Sequence, residues 1–188
     1  MTNGCILQAI LLLCFFTTTA LAVNYELLRY QQRRSNLASQ RLLWMLNRNL
    51  QYCLEDRMDF EVPEEIKQPQ QFQKEETVWV MHEMLQQIFD ILTRNSSSTG
   101  WNETIAENLY MELYQQMCHL ETALKKIKGE KDFTWGSMTT VLNLKKYYLR
   151  IALYLEDKLY SKCAWTVVHM EILRNFSFLN RLTGYLHN

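Results

Sequence analysis

Five stretches of this chain repeat their apolar residues at steps of three and four, and Gly and Pro sit between those stretches rather than in them. Steps of three and four are helical spacing, whereas strands need alternation, which occurs almost nowhere here. The stretches run from about Tyr25 to Leu50, Lys74 to Leu92, Glu103 to Lys128, Gly136 to Leu155, and Ser161 to Leu182. The expected inward residues are Leu27, Leu37, Leu42, Leu46 and Leu50 in the first and Val78, Met81, Leu85, Ile88 and Leu92 in the second. They continue with Ile105, Leu109, Leu113, Leu120, Leu124 and Ile127, then Val141, Leu144, Tyr148, Ile151 and Leu155, then Ala164, Val168, Ile172, Leu179 and Leu182. Pro63 and Pro69 fall in the first connection, Gly100 in the second, and Gly129 and Gly136 flank the third. Gly184 stands where a left-handed residue would end the last helix.

Connection lengths narrow the topology. The first link, about Gln51 to Gln73, can run the length of a helix. The links at Asn95–Asn102 and Glu156–Tyr160 are short, so the helices they join are expected to be antiparallel neighbours. The fold class is therefore all-α: a five-helix, cytokine-type bundle, up-up-down-down, with a long first crossover.

The chain opens with an export signal. Ile6 to Phe16 is almost continuously apolar, and Ala20-Leu21-Ala22 fits a cleavage site. The expected division is a signal at 1–22 and one helical domain at 23–188, leaving 188 − 22 = 166 residues. The first run is too short to span a bilayer, and no later one is long and apolar enough. A secreted, extracellular product with no membrane insertion is expected. The 20 basic and 20 acidic residues cancel, which argues against a nucleic-acid partner. The clusters Arg29, Arg33, Arg34 and Arg41; Lys125, Lys126, Lys128 and Lys131; and Lys145, Lys146 and Arg150 read as solvated helix faces.

Cys53, Cys118 and Cys163 remain once the signal, with Cys5 and Cys14, is removed. Three pairings are open. Cys118 lies inside a helical pattern, while Cys53 and Cys163 lie near helix ends, where segments approach more easily. That favours Cys53–Cys163, with Cys118 as the spare thiol. The bridge would tie Tyr52–Phe60 to the segment Tyr160–Phe176, forming one mixed polar and apolar recognition face. Met170, Leu173, Arg174, Ser177 and Phe178 are spaced to share one side of a helix.

No catalytic or metal constellation is found, and no cofactor is expected. His82-Glu83 begins a zinc motif, but Gln86 replaces the second histidine. The sequence therefore reads as a non-enzyme, against the alternative of a secreted helical-bundle carrier or enzyme with a site inside the bundle. N-glycosylation sequons stand at Asn95, Asn102 and Asn175.

Several segments carry a family resemblance: Cys53-Leu54-Glu55-Asp56-Arg57-Met58-Asp59-Phe60, Pro63-Glu64-Glu65-Ile66, and Ser97-Ser98-Thr99-Gly100-Trp101-Asn102-Glu103-Thr104. To these add Cys163-Ala164-Trp165, Glu171-Ile172-Leu173-Arg174-Asn175-Phe176, and Asn180-Arg181-Leu182-Thr183-Gly184-Tyr185-Leu186. On these the chain resembles the type I interferon family along essentially its whole length. It resembles the beta members in particular, since alpha and omega members carry a second bridge from the mature N-terminus.

The resemblance implies a cytokine that binds two receptor chains on the cell surface, as a monomer, and starts JAK–STAT transcription of antiviral genes. For the high-affinity chain it implies contacts at Leu54, Arg57, His169, Met170, Leu173, Arg174, Ser177 and Phe178. For the low-affinity chain it implies Phe89, Asp90, Arg94, Ile105, Tyr110, Tyr114 and Lys145. Many family members are basic where this chain has His169, so charge at that contact is expected to follow pH.

Overall fold

A computed structural model describes residues 22–46, 53–128 and 135–187. The signal segment through Leu21, Leu50, Gly129 and Lys131 lie outside the described residues. The five long helices are α1 (Tyr25–Met45), α2 (Lys74–Thr93), α3 (Glu103–Lys128), α4 (Trp135–Asp157) and α5 (Lys162–Gly184). Short helical turns interrupt the connections at Leu54–Asp56, Glu64–Lys67, Pro69–Gln71 and Ser96–Ser98, and no strand occurs among the described residues.

Polar side chains set the helix starts. Asn24 Oδ1 accepts from the Leu27 amide at 2.9 Å, Asn102 Oδ1 from the Ile105 amide at 3.1 Å, and Ser161 Oγ from the Ala164 amide at 3.2 Å. At α2 the Glu76 carboxylate reaches back to the Gln73 amide at 3.1 Å. Each satisfies a backbone donor that the first turn leaves unpaired.

Side-chain contacts give the helix directions. Gln32 and Asn36 meet Gln116, while Leu42 shares a groove with Tyr110 and Met111, so α1 and α3 are antiparallel. The Tyr110 hydroxyl donates to the Leu92 carbonyl at 3.0 Å, which makes α2 and α3 antiparallel. Asn36 meets Thr183, Gln40 meets Asn180, and Leu43 meets His169, so α5 also opposes α1. Lys145 faces Glu83 and Arg94 faces Glu156, so α4 is parallel to α2. The up-up-down-down order thus describes α1, α2, α3 and α5, with α4 carried inside the second crossover.

The inward residues expected for α2, α4 and α5 pack against the core as their spacing predicts, with Val141 half-buried at the margin. In α3 they do so too, with Ile105 half-buried. Helix α1 departs from expectation. Leu27 is 53% exposed and Leu37 47% exposed, while Leu42 is half-buried. The buried side is Leu28, Gln32, Ser35, Asn36, Ser39 and Leu43.

A chain of hydrogen bonds explains that choice. Gln32 Nε2 donates to the Gln116 carbonyl at 3.2 Å. Gln116 Nε2 donates to Asn36 Oδ1 at 2.8 Å, and Asn36 Nδ2 to Thr183 Oγ1 at 3.1 Å. The Thr183 hydroxyl donates to the Leu179 carbonyl at 2.7 Å. The middle of the inner stripe of α1 is polar, with α3 and α5 supplying partners for Gln32 and Asn36, and apolar spacing picked the neighbouring leucines instead.

Gly184 also differs from expectation. It is the last residue of α5, and the helix closes through Tyr185 in a right-handed conformation (φ −74°), with tight turns back to Leu182 and Thr183. Among the described residues, Gly100 is the glycine in the left-handed region, at φ 63°.

Gln116→Leu should cost about 1–3 kcal/mol, because it strands the Asn36 carbonyl oxygen in the interior. Adding Asn36→Leu should cost less than the sum of the two single changes, since both polar ends then leave together. Urea unfolding of the two single variants and the double variant measures this; strict additivity would rule out the coupling.

Candidate functional site

The first crossover returns along α4 and is fixed to it at intervals. Asn143 Nδ2 donates to Glu65 Oε1 at 2.9 Å. Arg150 donates to the Phe60 carbonyl at 3.1 Å and to the Glu61 carbonyl at 2.9 Å. The Tyr154 hydroxyl donates to the Asp56 carbonyl at 2.7 Å, and Lys158 pairs with the Asp56 carboxylate at 3.2 Å. The Phe60 ring is buried, edge-on to Tyr154 at 5.3 Å. Burial, with Asp56 adding to it, pushes the Tyr154 phenol up to about 12, so it stays a donor.

The ladder ends in the Cys53–Cys163 disulfide, with Cα atoms 5.2 Å apart and Cys118 free. The expected pairing is present. Arg150 departs from the solvated face expected of its charge cluster: it holds two loop carbonyls. Glu61, held at φ 53°, makes the sharp bend that turns successive carbonyls toward one guanidinium.

The bridge brings the loop onto α5. Leu54, Arg57, Arg174 and Ser177 are exposed, and Met170 is half-buried. Leu173 and Phe178 are buried, with only a margin of each at the surface. His169 departs from the expectation of a surface contact. It is 2% exposed, and its Nε2 lies 2.8 Å from the Leu43 carbonyl, which fixes that nitrogen as the donor. The ring sits 5.8 Å from Trp101. Trp101 in turn packs at 5.7 Å from Trp165, whose indole donates to Ser98 Oγ at 2.8 Å. His169 therefore ties the end of α1 and the loop before α3 to α5. Burial pushes its pKa below the usual imidazole value, with the Leu43 bond opposing in part.

Asn175 is corrected as well. It is 1% exposed. Its Nδ2 donates to the Tyr147 hydroxyl at 2.6 Å and to the Glu171 carbonyl at 2.8 Å. Its Oδ1 accepts a short hydrogen bond from the Tyr148 hydroxyl. The Tyr147 hydroxyl donates onward to Glu171 Oε1 at 2.5 Å. Burial first, and then neighbouring anionic or phenolic oxygens, raises both tyrosines well above their ordinary value, so both remain protonated donors. A sugar on this amide would break the network, so the Asn175 sequon is closed by the fold. Asn95 and Asn102 are exposed. Asn102 caps α3 through Oδ1, leaving Nδ2 for a sugar.

The second expected face is less uniform. Phe89, Tyr110 and Tyr114 line one open groove with Leu42 and Met111 between α1, α2 and α3. Phe89 and Tyr110 meet edge-on at 6.3 Å. Asp90 is exposed and Ile105 half-buried. Arg94 and Lys145 lie instead on the α2–α4 seam, paired with Glu156 at 3.6 Å and Glu83 at 4.0 Å. Beside Lys145, α4 exposes Met138, Leu142, Leu149 and Leu153.

Comparison with known proteins agrees with this geometry. The interferon alpha/beta domain matches residues 28–186. Interferon beta of Felis catus is 62% identical over 188 residues, covering 100% of both chains. Interferon beta of Homo sapiens is 58% identical over 188 residues, again with 100% of both covered. Interferon alpha-14 of Homo sapiens is 45% identical over 130 residues, 69% of each chain. Among solved structures, zebrafish interferon 1 superposes with a TM-score of 0.68 at 14% identity, covering 82% of this chain and 96% of that one, which supports the fold.

Thr104→Ala, which breaks the sequon but keeps the Asn102 cap on α3, should remove a glycan from protein made in mammalian cells with little change in melting temperature. Asn175→Gln should leave the glycan mass unchanged and lower the melting temperature, and intact mass with thermal melts reads both; a sugar found on Asn175 would refute the burial argument.

The His169 shift also gives stability a sign. Above pH 6.5, its ordinary value, neither state binds the proton and full stability is present. As pH falls below that, the unfolded chain takes up a proton that the fold resists, so stability drops until the lowered folded pKa is passed. His169→Gln should flatten this slope between pH 7 and pH 5, relative to the parent. Parallel stability curves for the two proteins would show that His169 does not contribute.

Proposed function

The chain belongs to the interferon alpha/beta family, with the beta members as its full-length relatives, and from that membership we propose a secreted, non-enzymatic cytokine that acts by binding two receptor chains. It is a type I interferon by descent. On this reading it engages the two-chain type I interferon receptor at the cell surface as a monomer and triggers JAK–STAT signalling and antiviral transcription.

The observation that carries the reading is the tethered loop–helix surface. Cys53–Cys163 and the Arg150 clamp hold Leu54 and Arg57 against α5, which presents Met170, Arg174 and Ser177. Exposed arginines beside partly covered apolar side chains are the mixture from which binding hot spots are built. His169 belongs under this surface, as its support. The aromatic groove of Phe89, Tyr110 and Tyr114 supplies a second, unlike surface for the low-affinity chain. Asp90, Arg94, Ile105 and Lys145 are the polar and marginal residues assigned with it. Secretion through a signal at 1–22 belongs to the same proposal, as do sugars at Asn95 and Asn102.

The decisive experiment measures the purified protein against each receptor ectodomain and, in receptor-bearing cells, the transcription of antiviral genes. Arg57→Ala and Arg174→Ala should each weaken the high-affinity chain by about thirtyfold, the loss expected of a hot-spot arginine worth about 2 kcal/mol. Binding to the other chain and the melting temperature should hold. Parent-like affinity in both variants would remove this face from the assignment.

A further inference from the structure

Helix α5 carries a charged feature beyond the contacts assigned above. Arg174, Phe178 and Arg181 stand at i, i+4 and i+7, on one side of the helix. Both guanidinium carbons lie over the Phe178 ring, at 5.8 Å for Arg174 and 5.0 Å for Arg181. The ring is otherwise buried, so the two cations cover what remains of its exposed margin. Lys67, from the loop, completes the wall: Lys67, Arg174, Ser177, Phe178 and Arg181 line one open groove.

The local charges do not cancel. Lys67 has Glu64 at 2.5 Å, and Arg174 has Glu171 at 3.6 Å. Glu171 is mostly buried and shared with the Tyr147 hydroxyl. Arg181 has no ion pair among the described residues, and guanidinium groups do not lose their protons. Stacking on the ring restrains each fork and leaves N–H edges free for a planar, two-oxygen acceptor.

We propose that the docking surface for the high-affinity receptor chain extends to Arg181 and Lys67, and that this chain presents carboxylates to the arginine–phenylalanine–arginine stack. The inference rests on the receptor reading given above and deepens it. Three features favour a protein carboxylate over another anion. The groove is continuous with Arg174, Ser177 and Phe178. Arginine forks match carboxylate geometry. Exposed Glu64, on Lys67, interrupts the cationic track that a long sulfated chain would need.

Charges at the rim of an interface act mainly on encounter, so the rate of association carries the signal. Surface-binding kinetics of the full chain with each receptor ectodomain should show the Lys67→Glu, Arg181→Glu double variant associating about tenfold more slowly at low salt. The deficit should shrink at high salt as screening sets in. Dissociation, binding to the other receptor chain and the thermal melt should change little. Arg181→Gln alone, with no charge reversal to strain the fold, should slow association about threefold.

Parent-like association in both variants, with Arg174→Ala still weakened, would overturn the extension and leave the receptor reading standing. If Arg57→Ala and Arg174→Ala were parent-like too, the whole face would be misassigned, and absence of parent binding to either ectodomain would overturn the receptor reading itself. Loss of retention on immobilised heparin with unchanged receptor kinetics would identify a sulfated polysaccharide as the occupant and overturn the proposal.

Discussion

The long first crossover would be a free length of chain without its attachments to α4 and α5, and the proposed recognition surface depends on them. The Cys53–Cys163 bridge closes a separation of 110 residues, worth about 4–5 kcal/mol in the chain-entropy account. One covalent point does not fix a loop of some twenty residues. The rungs at Asn143, Arg150 and Tyr154 do so by satisfying Glu65 and the backbone carbonyls of Phe60, Glu61 and Asp56. Arg150 is the strongest of these, because its donor is charged and reaches two carbonyls at once. Order established before encounter does not have to be established during it, so a tethered loop loses less entropy on docking.

The fold was legible in the sequence wherever burial and hydrophobicity coincide. In α2 to α5 the buried stripe is mostly apolar, so spacing alone located it. In α1 the buried stripe puts Gln32, Ser35, Asn36 and Ser39 between Leu28 and Leu43, and the partners of Gln32 and Asn36, Gln116 and Thr183, lie 80 or more positions away. Periodicity has no access to such partners, and it settled on leucines one position to the side. The cysteine pairing was legible because helix ends constrain which thiols can meet.

The site was legible in its outline and less so in its details, for the same reason. A sequon is a local string, but Asn175 is closed by tyrosines that arrive from α4. The resemblance places His169 at the receptor contact, yet the end of α1 covers it. Arg150 sits in a run of charges, and only the bend at Glu61 turns two carbonyls toward it. In each case a second element decides the role of a residue whose own neighbourhood suggests another. The Arg174, Phe178 and Arg181 spacing is the opposite case, since all three lie on one helix and their alignment follows from the sequence.

The two candidate surfaces differ in the physics they bring to binding. The loop–α5 surface joins exposed arginines to apolar margins over a buried hydrogen-bonded floor, where Glu171 and Asn175 hold Tyr147 and Tyr148. Charge there favours fast encounter, and the rigid floor favours slow release. The Phe89–Tyr110–Tyr114 groove offers aromatic area with little fixed charge, and its Tyr110 hydroxyl is already spent on the Leu92 carbonyl. Such a groove binds through contact area and gains little from long-range attraction. On the proposed receptor reading, a strong, steered site and a weaker contact site on one packed body suit sequential capture: the first chain would take the protein from solution, and the second would be met while both are confined to one membrane. Confinement raises the effective concentration of the second partner, so its surface need not be strong in isolation to complete the pair.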